Sequence, residues 1–211
     1  MGDTDDQAAA ARAAREQVVR DHVTAGNASA GASHAIELYG GEVLGFLHAV
    51  AREDDLAHEA FSVFSEDLLR GLPSFRWDAS LRTWCYALAR NALHRLRRDP
   101  RRRARNNVSL SNQGAAISAI VEQVRTATVP FLKTEIKDEL RRLRDALDPD
   151  DHALLVLRID RKMSWKDIAR ALPGDDGQEL DRRAATLRKR FERAKTMLRE
   201  MATARGLISV D

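Results

Sequence analysis

The stretch Trp84–Arg98, WCYALARNALHRLRR, begins as a helix made for burial and ends in concentrated positive charge. Apolar residues stand at Leu81, Trp84, Cys85, Leu88, Ala89, Ala92, Leu93 and Leu96, stepping three and one in alternation, the spacing of one helical face. Ser80 stands where a cap would begin the helix, and Asp99-Pro100 ends it, because the residue before proline avoids helical geometry. The chain then runs into DPRRRAR. The stretch is too short and too charged to cross a membrane. Its apolar stripe predicts an anchored core helix, and its basic end predicts a negatively charged partner.

The surrounding composition narrows that partner. The chain has 211 residues, 44% hydrophobic and 32% charged, with 5 Pro and 11 Gly, which suits one or two helix-rich domains. Neither an alternating strand pattern nor an apolar run of roughly 18–20 residues is present. The start, MGDTDDQAAA, lacks the basic and apolar parts of a signal peptide, and the single Cys85 rules out an internal disulfide, so a reducing cytoplasm is expected. The net charge of +3 conceals two clusters. Seven arginines lie between Arg95 and Arg105 against Asp99; eight bases lie between Arg182 and Arg199 against Glu192. Two such clusters suggest two contacts with one polyanion, the alternative being two solvated faces.

Working outward, Ala8–Val23 carries a weak apolar seam at Val18, Val19 and Val23, a loosely attached helix, and Ala25–Ser33 (AGNASAGAS) reads as a linker. A first firm helix follows, with Ile36, Tyr39, Val43, Phe46 or Leu47, and Val50 inward. A second starts at Asp54 and Asp55 and stops near Gly71 and Pro73, leaving the loop Pro73–Ser80 before the central helix. Beyond it, Arg105–Val129 is a connector with an amphipathic turn or two at Ile117, Ile120, Val121 and Val124; Pro130 could open another helix, with Leu132, Ile136, Leu140, Leu143 and Leu147 inward. Asp148-Pro149-Asp150-Asp151 marks a helix start, Ser164 with Asp167 marks another, and a long last helix puts Leu187, Phe191, Ala194, Leu198 and Met201 on one stripe with its bases facing away. Short helix, turn and long basic helix is the order of a helix-turn-helix DNA reader, although a plain charged hairpin looks similar.

At this point two motifs become recognisable. DLAHEAF (Asp55–Phe61) followed by FRWDASLRTWCYALARNALHRLRR (Phe75–Arg98) resembles region two of bacterial sigma factors of the extracytoplasmic-function group, whose pattern runs Asp-Leu-x-Gln-Glu-x-Phe, a loop, then Trp-Leu-x-x-Ile-Ala-Arg-Asn and arginines. LDPDDHALLVLRIDRKMSWKDIARAL with TLRKRFERAKTMLRE resembles region four of the same family. The resemblance covers about Ile36–Arg103 and Glu139–Ala204.

The resemblance implies an all-α fold of two small helical domains joined by a linker: an N-terminal extension 1–33, a region-two domain 34–104, a linker 105–134, a helix-turn-helix domain 135–205 and a tail 206–211. It implies core RNA polymerase and promoter DNA as partners, and an anti-sigma factor as a third. Polymerase contact falls to Asp55, His58, Glu59 and Phe61. Minus-ten DNA contact falls to the loop residues Phe75, Arg76, Trp77 and Asp78, where an aromatic beside a cation suits unstacked bases, and to Arg90, Asn91, Arg95, Arg97 and Arg98. Trp77 equally reads as a staple on the central helix, Asn91 as a cap, and Phe61 as half core; Trp84 reads as core. Minus-thirty-five contact falls to Arg182, Arg183, Thr186, Arg188, Lys189, Arg190 and Arg193, with Arg188, Lys189 and Arg190 best placed for the groove.

Three departures stand out. His58 replaces the expected Gln. LPGDDGQELDRRAA is longer than the usual turn of about 3–4 residues between reader helices, so either the second helix starts early, near Gln178, or the turn, about 173–182, carries an acidic insertion. The extension before residue 34 has no counterpart in the family pattern. The expected protein is a non-enzymatic initiation factor without cofactor or metal; its six histidines are scattered and no phosphate loop or zinc spacing is present. The rival is a one-component helix-turn-helix regulator acting without core polymerase.

Overall fold

The computed structural model describes residues 3–98, 115–128, 142–172 and 179–208. Among these residues every regular element is helical: α1 Asp3–Thr24, α2 Ala28–Ala51, α3 Asp54–Gly71, a short 3-10 turn Leu72–Ser74, α4 Leu81–Arg98, α5 Ala115–Thr128, α6 Pro149–Leu155 continuing as a π-helical turn Val156–Asp160, α7 Trp165–Ala171 and α8 Leu180–Ala204. The all-helical class read from the apolar spacing is the class observed.

Local chemistry sets the boundaries as the sequence predicts. Ser80 Oγ accepts the Thr83 amide at the start of α4. Asp148 caps α6 through the Asp150 amide, with Pro149 in the first turn. Ser164 caps α7 by accepting the Asp167 amide, and its hydroxyl donates to the Asp167 carboxylate. The stripe of α4 is buried at Leu81, Cys85, Ala89, Ala92, Leu93 and Leu96. Each buried leucine contributes roughly 1.5–3 kcal/mol, so this one face anchors the helix. Trp84, expected in the core, is instead half-buried at its edge, stacked on Phe75.

The start of the chain departs from expectation. Residues 28–33 are the first turns of α2, capped by Asn27, and not a linker. Their small side chains serve close approach. A Cβ at Gly31 would meet Leu72 Cδ2 at 3.1 Å and the Val19 carbonyl at 3.4 Å, so α1 and α2 come together where only glycine fits easily. Nor is α1 loosely attached: Val19 is fully buried and Glu16 is buried beside it.

One contiguous core links the helices near the N-terminus with those near the C-terminus, from Val19 to Ala194. Polar contacts bridge them as well: Arg52 donates to the Leu147 carbonyl at 2.7 Å, and Arg82 to the Arg161 carbonyl at 3.1 Å. Within the connector, α5 lies on α2, with Val121 buried and Val124 Cγ2 3.2 Å from a Cβ placed at Gly40. Leu143 and Leu147 are buried as predicted. The expectations for Pro130, Leu132, Ile136 and Leu140, for arginines 101–105 and for the turn 173–178 lie outside the described residues. The last helix begins at Leu180 after Glu179, close to the early-start alternative.

Candidate nucleic-acid interface

The loop between the 3-10 turn and α4 gathers aromatics. Phe75 stacks on Trp84 with ring centroids 4.4 Å apart and planes within 11°; Trp77 tilts against Phe75 at 4.8 Å. Trp77 has φ 61°, the left-handed region that a bulky side chain rarely adopts, at a cost of about 1–2 kcal/mol. The surrounding contacts hold it there. The guanidinium of Arg20, on α1, lies 5.5 Å from the centre of the Trp77 ring. A groove of about 420 Å³ opens beside this wall, lined by Phe75, Trp84, Arg76, Asp78 and, from α7, Arg170. Arg76 and Asp78 are exposed and pair at 3.1 Å.

The basic end of α4 divides its charges. Arg98 is exposed, and so is Asn91. Arg95 pairs with Asp67 of α3. Arg97 donates to the Val50 carbonyl at 2.6 Å, capping the end of α2. Arg90 is 9% exposed and pairs with Asp150 of α6 at 2.8 Å. So of the residues assigned to DNA on this helix, Arg90 and Arg97 are held by the protein itself, because each lies on the flank that turns toward a neighbouring helix.

On α3, Asp55 is exposed, and His58 and Glu59 are half-exposed. Phe61 corrects the expectation: it is fully buried, with its ring 5.5 Å from that of Phe64 and its Cζ 3.3 Å from a Cβ placed at Gly40. It packs behind the exposed face of α3.

On α8 the inward stripe is as predicted, with Phe191 and Ala194 buried and Leu187, Leu198 and Met201 packed against the core. Arg182, Thr186, Arg188, Lys189 and Arg193 are exposed. Arg188 lies 5.6 Å from the centre of the Trp165 ring, which itself meets Phe191 edge-on, so this guanidinium has a fixed seat. Arg183 donates to the carbonyls of Ala169 and Leu172, closing the end of α7. Arg190 binds Asp148 at 3.0 Å and also Asp151, both at the start of α6. Arg183 and Arg190 therefore join helices, and the outward bases are Arg182, Arg188, Lys189 and Arg193.

Sequence reasoning missed Glu16, Arg20, Glu42 and Asp67. Glu42 holds Arg82 at 2.7 Å and accepts from Tyr86 Oη at 2.9 Å. One signal was available for Glu16: an acid three residues before Val19 and seven before Val23, on the apolar seam. Two buried groups are held neutral. Burial raises the Cys85 thiol far above its usual range, with Glu16 and Glu42 adding to it, so this cysteine is inert. Burial, then Arg144 and Arg52, lowers His152 to about 4. Among the described residues no group of three His, Cys, Asp or Glu side chains could hold a metal, and no helix is long and apolar enough to cross a membrane.

Comparison with known proteins supplies the remaining observation. The chain is 29% identical over 163 residues to the RNA polymerase sigma factor YlaC of Bacillus subtilis (strain 168), an alignment covering 74% of this chain and 86% of that protein. This chain is a relative of the sigma factors, of the extracytoplasmic-function kind. The motif pair DLAHEAF and WCYALARN thus sits within a likeness that spans most of the sigma factor's length. No family model matches the chain, and no solved structure does.

Proposed function

We propose that this sigma factor binds core RNA polymerase, recognises promoter minus-ten and minus-thirty-five elements, and stabilises melted DNA, without covalent chemistry of its own. The observation that carries the reading is the aromatic loop. Phe75 and Trp84 wall an open groove with Arg76 at its rim, and Trp77 lies against Phe75 beside it, an arrangement that suits an unstacked base and its phosphate. A regulator that reads only duplex DNA has no use for such a wall, so the one-component alternative is not favoured.

The division of labour follows from exposure. Asp55, His58 and Glu59 present an acidic and polar edge of α3 to the polymerase. Phe75, Arg76, Trp77 and Asp78 meet the melted strand, and Asn91, Arg95 and Arg98 meet the duplex beside it; Arg95 exchanges Asp67 for phosphate. Arg90 and Arg97 keep the scaffold in place unless their own partners are released. Arg188 and Lys189 enter the upstream major groove, with Arg182, Thr186 and Arg193 on its backbone, and Arg190 orients α8 behind them. The cytoplasm, where polymerase works, is the expected compartment, and an anti-sigma factor is the expected inhibitor. Transcription with purified core polymerase tests the reading. Adding the chain should yield transcripts with one start site from a promoter of its regulon; duplex binding that is equally tight without polymerase, and no transcript, would establish the regulator instead.

A further inference from the structure

The N-terminal helix lies outside both motifs, yet it reaches the loop that the proposed function depends on. Glu16 is buried and accepts three hydrogen bonds: from Tyr39 Oη at 2.7 Å, from the Leu81 amide at 2.9 Å and from the Arg82 amide at 3.0 Å. The last two are the first amides of α4, which no carbonyl of that helix can satisfy. Ser80 caps the next one locally, so the start of α4 is capped from inside and from 65 residues away. A carboxylate in that position gains from charge-assisted bonding and from the helix dipole. The donation also ties up the Tyr39 hydroxyl, whose proton is held tightly by burial and then by the bond to Glu16.

Both ends of the loop are therefore set by the α1 side of the molecule. Glu16 fixes the downstream end at Leu81 and Arg82. The close approach at Gly31, between Val19 and Leu72, fixes the upstream end. Between them Trp77 keeps a strained left-handed backbone, with Phe75 against it and Arg20 over its ring. A strained residue persists where its surroundings hold it, and here one of those contacts comes from α1.

We propose that α1 is a working part of the minus-ten reader: Glu16 is a positioning residue for the loop, acting through the start of α4, and Arg20 sets the ring of Trp77. This rests on the initiation reading above. The pre-set ring meets an extruded base without first having to be ordered, so the contribution belongs to strand capture and not to assembly with polymerase.

The test uses the full chain assembled with core polymerase on a promoter DNA that supports transcription. Competitor-resistant open complexes are counted for wild type, Glu16→Gln, Arg20→Ala, Trp77→Ala and the Arg20→Ala/Trp77→Ala double variant. Arg20→Ala should lower open complexes about threefold, the worth of an exposed cation–ring contact, with unchanged binding to core polymerase. Glu16→Gln should lower them about tenfold, as a charge-assisted cap is lost. In the Trp77→Ala background the Arg20 effect should vanish, an outcome that a general loss of stability would not produce. If Glu16→Gln does not fold, Arg20→Ala, an exposed residue, decides alone. Wild-type complexes with Arg20→Ala unchanged, or an Arg20 effect undiminished without Trp77, overturns the inference while the initiation reading stands. A wild-type chain that forms no open complex overturns both.

Discussion

The basic end of α4 and the basic face of α8 look alike in sequence and differ in the fold. On α4, Arg90, Arg95 and Arg97 reach Asp150, Asp67 and the Val50 carbonyl, and Arg98 remains exposed. On α8, Arg183 and Arg190 turn inward, while Arg182, Arg188, Lys189 and Arg193 stay at the surface. The contrast comes from position on the helix. α4 has neighbours on several flanks, since α2, α3 and α7 all pack on it, so most of its long side chains find internal acceptors. Along α8 the packing runs on one stripe, against α6 and α7, and the opposite face is left to solvent. A cluster of arginines is thus two populations, one that ties helices together and one available to phosphate, and burial separates them.

The contrast can be broken or sharpened by substitution, the largest effect first. Arg90→Ala should destabilise the fold by about 2–3 kcal/mol in chemical denaturation, since its buried stem leaves a gap between α4 and α6 and the half-exposed Asp150 loses its partner. A loss under half a kcal/mol would place Arg90 among the surface cations. Next is pH. His152 has a folded pKa of about 4 against an ordinary 6.5, so the unfolded chain takes up the proton first as pH falls. Its contribution is complete above pH 6.5 and is lost on descent toward 4. Between pH 7 and pH 5 stability should fall by about 2 kcal/mol more in wild type than in His152→Gln, read from thermal denaturation at each pH. Parallel profiles would contradict the buried neutral histidine.

Trp77→Ala should lower open-complex formation by about 1–2 kcal/mol, the worth of a stacked base, while leaving closed-complex binding nearly unchanged. Equal loss in both would remove the melting role. Arg188→Ala should leave stability within about 0.5 kcal/mol of wild type, and weaken reading of the upstream element by roughly 1 kcal/mol in competition binding. The smallest effect is that of Arg98→Ala, which should reduce the slope of log affinity against log salt by about 0.9, one phosphate contact. An unchanged slope would mean that this exposed arginine meets no DNA.

Much of this was legible beforehand, for reasons that particular residues show. The alternating stripe of α4 and the caps at Ser80, Asp148 and Ser164 are local signals, and each element formed where they stand. Ala28–Ser33 misled because small residues signal a flexible linker and a close helix contact equally well; Gly31 against Val19 and Leu72 is the second. The internal pairing of arginines was hidden because their partners are distant in sequence, Arg95 lying 28 residues from Asp67 and Arg90 lying 60 from Asp150. Glu16 was hidden by the same distance, and by standing on a helix that the family pattern does not include. Phe61 was read from its motif as a polymerase contact that is also half core, whereas its place on α3 directs it fully into the core.

The central claim is that two separate surfaces of one chain meet two different parts of one promoter, and do so together with polymerase. Site-directed photocrosslinking asks this most directly, with a benzophenone side chain placed at position 77 or at position 189. With core polymerase and promoter DNA, position 77 should label single-stranded bases of the melted segment, and position 189 should label duplex DNA upstream of it. Labelling of one shared duplex site by both positions, unchanged when polymerase is left out, would contradict the account.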